Sequence, residues 1–487
     1  MRYQFKEFFF FCICCMLINN CSREKTPDEE ILVRIKDKTI TVNEFIHRSE
    51  LTPRPFYCRG SSERDKKIIL NSLIVEKLIA LDHTEHTDLE NEETLQIYLK
   101  GIREQAMRML LYKEKILNKI EIDSADIIKN YRMAGIEYVL KYYTIYDSAL
   151  VQLFLSNRAD FEQIFRDRMG KVPIPRKKIQ WQDQEDASLH NMLFTTLVSP
   201  GSVIGPFKTQ DEGYLVLKVD SVRDSRVISQ QDIQERRRLV IDRLKQNKAA
   251  GAWLTYINNL MENRKITFYL ETLKTVGKLF EDIYFSSESS QIESIDITDR
   301  FAVFNNNINL MISPFYRTGD RIWTVRDFKQ LIIAHPLVYR TSELSKENYK
   351  FYFQKAIVDL MGDFFLTQEA YKLGMDDDYQ TVRTVEMWKD ALLTKRYVNA
   401  YLNEIKKRKN FDPDRMKGDS TYLDDYSSRL ILQYSDQIQI NLPAFLNIRI
   451  TGSPMMVIQS LQPHALAVPP FPQLTLENSI DMYQPAK

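Results

Sequence analysis

With 487 residues the chain has room for about three domains, and with 67 lysines and arginines against 66 aspartates and glutamates it carries a net charge of +1. No overall field therefore draws it to nucleic acid or to an anionic membrane surface. Glycine is scarce, at 14 residues, and no GxxxxGK[ST] stretch occurs, which argues against a glycine-rich phosphate cradle and against ATP-driven action.

At the N-terminus Arg2 and Lys6 precede FFFFCICCMLI, residues 8–18, an apolar run that is too short to span a bilayer and fits the core of a signal peptide. It ends in LINNC, which is similar to a bacterial lipobox and would make Cys21 the acylated first residue of the mature protein. The alternative is an ordinary cleaved leader in which Cys21 is incidental. Either reading exports the chain. Cys12, Cys14 and Cys15 lie in the leader, so Cys58 has no disulfide partner within the mature body. No motif around Cys58 supplies a base, and it reads as a packing residue.

After a polar tether, ILVRIKDKTITVNEFIHRSELTPRPF aligns without gaps to DRIWTVRDFKQLIIAHPLVYR at one constant offset: Thr41 with Thr324, Phe45 with Phe328, Pro53 with Pro336. The same offset matches Ile74 to Ile357, Val75 to Val358 and Glu76 to Asp359. The unit is a short strand, a threonine-capped helix, an extended proline segment and a longer amphipathic helix. Each copy is expected to close with a helix end and an alternating strand, at Ile266 and Phe268 in the first and at Ile438 and Ile440 in the second. The stretch from Thr41 to Tyr256 is far longer than the matching stretch from Thr324 to Tyr426, so the first copy holds an extra block, expected to be an inserted domain.

Leu95, Tyr98, Ile102, Ala106, Met109, Ile116 and Ile120 follow helical spacing. Asp123 or Ser124 then caps a further helix, and IEYVLKYYTIY reads as a strand. The stretch SQQDIQERRRLVIDRLKQNKAAGAWLTYI reads as a long helix whose basic residues, interleaved with acids, form a solvated face. MDDDY, residues 375–379, reads as a helix start, and VPPFPQ, residues 468–473, as an extended linker or docking strip. His83 and His86 have a spacing that suits a metal on a helix, but no third ligand is evident, so a solvated helix end is the reading preferred. The expected fold class is α+β, mostly helical: a leader over 1–21, a helical module over 22–135, an α/β insert over 136–222, a return helix and closing strand over 223–275, a connecting segment over 276–319, a second module over 320–450 and a proline-containing tail over 451–487.

The leader, VRIKDKTITVNEFI followed by LNSLIVEKLIA, the capped helix IDSADIIKNY and the block 136–222 together resemble the SurA/PrsA-type family of exported chaperones and parvulin-like peptidyl-prolyl isomerases. The resemblance implies a helical core that cradles unfolded chains and an inserted domain that rotates bonds before proline. That family's sheet brings two histidines together; here their positions fall on Tyr142 and Leu215. The glycine-rich loop of the family appears as RKKIQW, ending at Trp181. The resemblance leaves Leu193 and Phe194, with Trp181, as residues that would line a proline-sized hollow, with the alternative that Leu193 and Phe194 are core of an amphipathic helix.

Rotation about an X-Pro bond faces a barrier of about 18–20 kcal/mol, and a cleft without the imidazole pair has lost the family's polar apparatus for lowering it. The resemblance therefore implies an exported, lipid-anchored, ATP-independent chaperone on the periplasmic side of the outer membrane. Its partners would be unfolded or proline-containing polypeptides, and it needs no cofactor, metal or nucleic acid. One alternative is an active isomerase in which Tyr142 and Thr209 polarise the pocket. Another is an accessory subunit of an outer-membrane assembly or secretion complex.

Overall fold

In a computed structural model, the structure describes residues 30–84, 93–156, 160–183, 187–208, 213–225, 229–285, 308–341, 344–407, 421–452, 463–464 and 466–486. Thr41 ends a hairpin of the strands Ile31–Ile35 and Lys38–Thr41 and accepts the Glu44 N–H at 3.1 Å, which starts the helix Val42–Glu50. Thr324 ends a hairpin of Pro314–Thr318 and Arg321–Thr324 and accepts the Asp327 N–H at 3.2 Å, while Asp327 accepts the Thr324 N–H at 2.8 Å; this capping box starts Val325–Ala334. Each hairpin carries an irregular register at its outer end, between Ile31 and Val33 or between Pro314 and Tyr316. A longer helix follows each one, Glu63–Thr84 in the first case and Tyr349–Lys372 in the second.

The third strand of each sheet comes from a different place than the sequence implied. Ile266–Phe268, expected to close the first copy, pairs antiparallel with Pro314–Thr318 of the second, Ile266 opposite Thr318 and Phe268 opposite Tyr316. Ile438–Ile440, expected to close the second, pairs with Ile31–Ile35, Ile438 opposite Ile35 and Ile440 opposite Val33. Alternation marks a strand and its inward face but says nothing about which distant strand it meets. The supposed connecting segment over 276–319 likewise contains most of the helix Leu270–Tyr284 and the strand Pro314–Thr318.

The chain forms two compact units, one drawn from residues 1–95, 384–458 and 467–487 and the other from 96–383 and 459–466. The expected module boundaries shift accordingly. Helix Glu93–Lys115 lies almost wholly in the second unit, and the chain returns to the first within helix Tyr379–Lys406.

In the first unit, Glu63–Thr84 is buried nearly all round from Ile68 to Leu81, and Ile68, Leu73, Val75 and Ile79 are fully buried. The segment 467–486, expected as a tail, is packed: Phe471, Leu474, Ile480 and Tyr483 enter the same core, and Gln484–Pro485 pairs with Ile438–Ile440. Six ionised side chains are joined in this interior. Arg48 meets Glu76 through two parallel hydrogen bonds of 2.7 and 2.8 Å, Lys77 meets Glu44 at 2.8 Å and Asp390 at 3.0 Å, and Lys38 meets Asp390 at 2.6 Å. Arg48 also donates to the Pro470 carbonyl at 3.0 Å, which ties the C-terminal segment to the cluster. Three cations face three anions, the condition under which burial of charge is tolerable.

The second unit contains an aromatic core and a separate sheet. Phe280, Phe315, Tyr316, Trp323, Phe328, Tyr349 and Phe353 are buried together around the second hairpin. The sheet has four antiparallel strands in the order Arg176–Gln180, Ile136–Ile145, Tyr214–Asp224, Val203–Lys208. Helix Ala187–Phe194 covers one of its faces, and Ser148–Leu155 with Phe161–Met169 the other. Asp123 caps the preceding helix Ser124–Met133 through the Ala125 N–H. The mixed α+β class is as expected.

Candidate functional site: one face of the four-stranded sheet

Strand Ile136–Ile145 alternates. Ile136, Tyr138 and Leu140 belong to the core under helix Ala187–Phe194, whereas Tyr143 and Ile145 belong to the core on the other side. Tyr142 continues the first series and packs on that core with Leu215 and Phe207, all three half-buried. Tyr142 stands opposite Leu217, and Leu215 opposite Thr144 on one side and Phe207 on the other. Tyr142 and Leu215 are therefore diagonal neighbours on one face, a relation that places α-carbons about 7–8 Å apart. Gly205 fixes this corner. Its φ is +98°, and a Cβ there would lie 2.8 Å from the Leu215 carbonyl oxygen, so only glycine lets the two strands come this close.

Tyr138 holds the helix over the sheet, donating from its hydroxyl to the Leu193 carbonyl at 2.8 Å and accepting the Val198 N–H at 3.1 Å. Leu193, Phe194 and Trp181 are 0%, 1% and 3% exposed, so Leu193 and Phe194 are core, the alternative reading above, and none of the three lines a proline-sized hollow. They are floor, not wall. Trp181 donates its indole N–H to the Leu239 carbonyl at 3.3 Å and packs edge-on against Phe194. Thr209 and Cys21 lie outside the described residues, as do His86 and the side chain of His83.

His190 sits under this floor and was not singled out by its sequence context. It is 3% exposed, its Nε2 lies 3.1 Å from the Trp181 carbonyl, and burial, reinforced by Arg243, pushes its pKa down to about 4. A neutral, enclosed imidazole cannot reach a substrate on the half-open face. Elsewhere, burial pushes the Cys58 thiol up to about 12, in keeping with a packing role. Among the described residues no cluster of metal-ligating side chains occurs.

The opposite face carries an ionic row. Lys141 stands between Arg176 and Lys218 across three strands, an arrangement of like charges that is unfavourable by itself. Glu162 meets Lys218 at 2.7 and 2.8 Å, and Asp220 meets Lys141 at 2.8 Å and Arg176 at 3.1 Å. Asp220 is the extra residue where the register slips between Val139 and Leu140. The Lys141 hydrogen bond, with its neighbouring cations, holds its carboxyl below the usual range. This row ties helix Phe161–Met169 to the sheet. Its signal in the sequence was faint, because a lysine between apolar strand residues also reads as an exposed position.

Chemically, the face offers apolar half-open surface with a tyrosine hydroxyl and no accessible imidazole among the described residues. No protein-family model matches the chain, and no curated protein matches it. Among solved structures it is similar to the foldase protein PrsA from Streptococcus pneumoniae str. Canada MDR_19A, at 10% identity over 46% of this chain and 93% of that one. The TM-score is 0.19, a likeness too slight to carry an argument.

Proposed function

We propose that the protein is an exported, ATP-independent chaperone that holds unfolded polypeptides, and that its four-stranded sheet domain is a degenerate parvulin-like domain that grips chains without rotating prolyl bonds. The observation that carries the reading is the make-up of the face at Tyr142 and Leu215. It is apolar and half-open over a sealed floor, and His190 of the same domain is neutral and enclosed. Apolar surface of this kind favours an unfolded client by mass action and needs no catalytic base. Attachment through a lipid at Cys21 belongs to the same proposal. No described helix is long and apolar enough to cross a membrane.

Two assays test it. In a protease-coupled assay on a proline-containing tetrapeptide, the full chain should leave the isomerisation rate at background. In an aggregation assay on a denatured protein, it should suppress light scattering at near-equimolar ratio without nucleotide. Isomerisation well above background that disappears in Tyr142→Phe would overturn the claim of a catalytically silent domain. Absence of any suppression would overturn the holding function.

A further inference from the structure

Asn71 lies on a face of helix Glu63–Thr84 that the C-terminal segment closes. Its Nδ2 donates to the carbonyls of Glu477 at 2.9 Å and Ser479 at 3.0 Å, and its Oδ1 accepts the Tyr483 hydroxyl at 2.7 Å. Ile68 and Val75, one turn to either side, are fully buried in the core that receives Phe471, Leu474, Ile480 and Tyr483. An extended stretch of polypeptide thus seals a helix face with spaced apolar anchors and two backbone carbonyls held by one carboxamide.

At the repeat offset that pairs Thr41 with Thr324, the same three positions of helix Tyr349–Lys372 are Phe351, Gln354 and Val358. The residue chemistry is kept: a carboxamide flanked by large apolar residues one turn away on either side, here an aromatic and a β-branched one. The cover is not. Phe351 is 64% exposed and Val358 42%, and no described residue hydrogen-bonds the Gln354 carboxamide. At Gly362, one turn further, a Cβ would meet nothing within 4 Å.

We propose that this face of helix Tyr349–Lys372 binds an extended apolar segment of another polypeptide, seated as residues 467–486 are seated on the equivalent face of Glu63–Thr84. The ligand it fits has no secondary structure, a large apolar side chain to lie across Phe351 and Val358, and free backbone carbonyls for the Gln354 amide. The proposal names a client site for the holding function above and rests on that reading.

The probe is a fluorescent peptide reproducing residues 467–483, AVPPFPQLTLENSIDMY, titrated by anisotropy into the full chain. Saturable binding is expected. Phe351→Ser combined with Val358→Ser should weaken it about tenfold or more, and Gln354→Ala about threefold or more, whereas Phe351→Leu should stay within about twofold. Phe351 and Val358 are exposed and Gln354 is half-buried, so melting temperatures, measured for every variant, should hold, which separates loss of binding from loss of fold. Equal affinity for the wild type and the double variant, or no saturable binding, overturns the site. A concentration-dependent dimer that Phe351→Ser dissolves assigns the face to a second copy and also overturns it. Aggregation assays on the same proteins keep the two proposals apart. Suppression that survives the double variant undamaged removes this site but leaves the holding function, while peptide binding without suppression removes the holding function but leaves the site.

Discussion

Helices Glu63–Thr84 and Tyr349–Lys372 follow hairpins built in the same way, yet the first is enclosed around buried charge and the second around aromatic rings. At the repeat offset, Arg48, Glu76 and Lys77 are answered by Leu331, Asp359 and Leu360. Both cations have become leucine while a carboxylate remains. In the first setting burial alone would raise the Asp390 carboxyl, but Lys77 and Lys38 outweigh it and hold it below the usual carboxylate range. In the second, burial dominates at Asp359, and Arg340 at 3.2 Å with Lys355 does not offset it, so the carboxyl is raised. A buried acid is thus a strong or a weak one according to the company it keeps. The ionic set is stable as a set, and where its cations are replaced by leucine the carboxyl that remains is pushed upward by burial.

The largest effect expected from this contrast is at Glu76. Glu76→Ala leaves the Arg48 guanidinium buried without its two-pronged partner, and breaking a buried pair in this way costs about 3–5 kcal/mol. Asp359→Ala removes a half-buried acid whose charged form burial already disfavours, and should cost less than about 1 kcal/mol. Chemical denaturation followed at both units would show it. Equal losses at the two sites would mean that the contrast in charge has no energetic counterpart.

Acid should divide the two regions next. Asp390, with a lowered folded pKa, contributes stability that is present above the ordinary aspartate value of about 3.9 and is lost as pH falls through the folded value. Asp359, with a raised folded pKa, has the opposite sign: its favourable contribution is present below the ordinary value and is lost as pH rises through the folded one. Hydrogen exchange, corrected for the intrinsic rate, should show Glu63–Thr84 losing protection on going from neutral pH towards about pH 3, with Tyr349–Lys372 losing less. Asp359→Asn should narrow that gap. Parallel loss in both helices, unchanged by the substitution, would sink the assignment.

These differences were only partly legible in the sequence. The threonine caps at Thr41 and Thr324, the Asp123 cap and the strand at 136–145 are local events, set by residues within one turn or by alternation along one strand, and local reading finds them. The strands at 266–268 and 438–440 were visible as strands, but their partners were not, since pairing over such distances is decided by which cores must be closed. The ionic cluster escaped because Glu76 and Lys77 interrupt the largely apolar stretch 68–81, where a charge pair reads as a brief exposed edge. Segment 467–486 was read as a tail because its prolines and lack of periodicity resemble those of a linker, although Phe471, Leu474, Ile480 and Tyr483 bury it. At the candidate site, Tyr142 and Leu215 were named through the family resemblance, since nothing in the local pattern marks them, whereas the enclosure of Leu193, Phe194 and Trp181 depends on how helix Ala187–Phe194 lies on the sheet.

The smallest test concerns the two hairpin turns themselves. Lys36 and Gly319 occupy the same turn position with φ of +51° and +55°, the left-handed region that a residue with a Cβ enters at a cost of about 1–2 kcal/mol. Gly319→Ala should therefore destabilise the second hairpin by about 1 kcal/mol, with nothing within 4 Å of the new methyl to add a clash. The reverse change, Lys36→Gly, relieves the same strain in the first hairpin but also removes the ammonium that lies 5.0 Å from the Tyr434 ring centre. Such a contact contributes about 0.5–1 kcal/mol against the roughly 1–2 kcal/mol of strain relieved, so the net gain should lie between about 0 and 1.5 kcal/mol. If Lys36→Gly stabilises by as much as Gly319→Ala destabilises, with Tyr434→Leu making no difference to that gain, the lysine contributes nothing through its ring contact and the two turns differ only by strain.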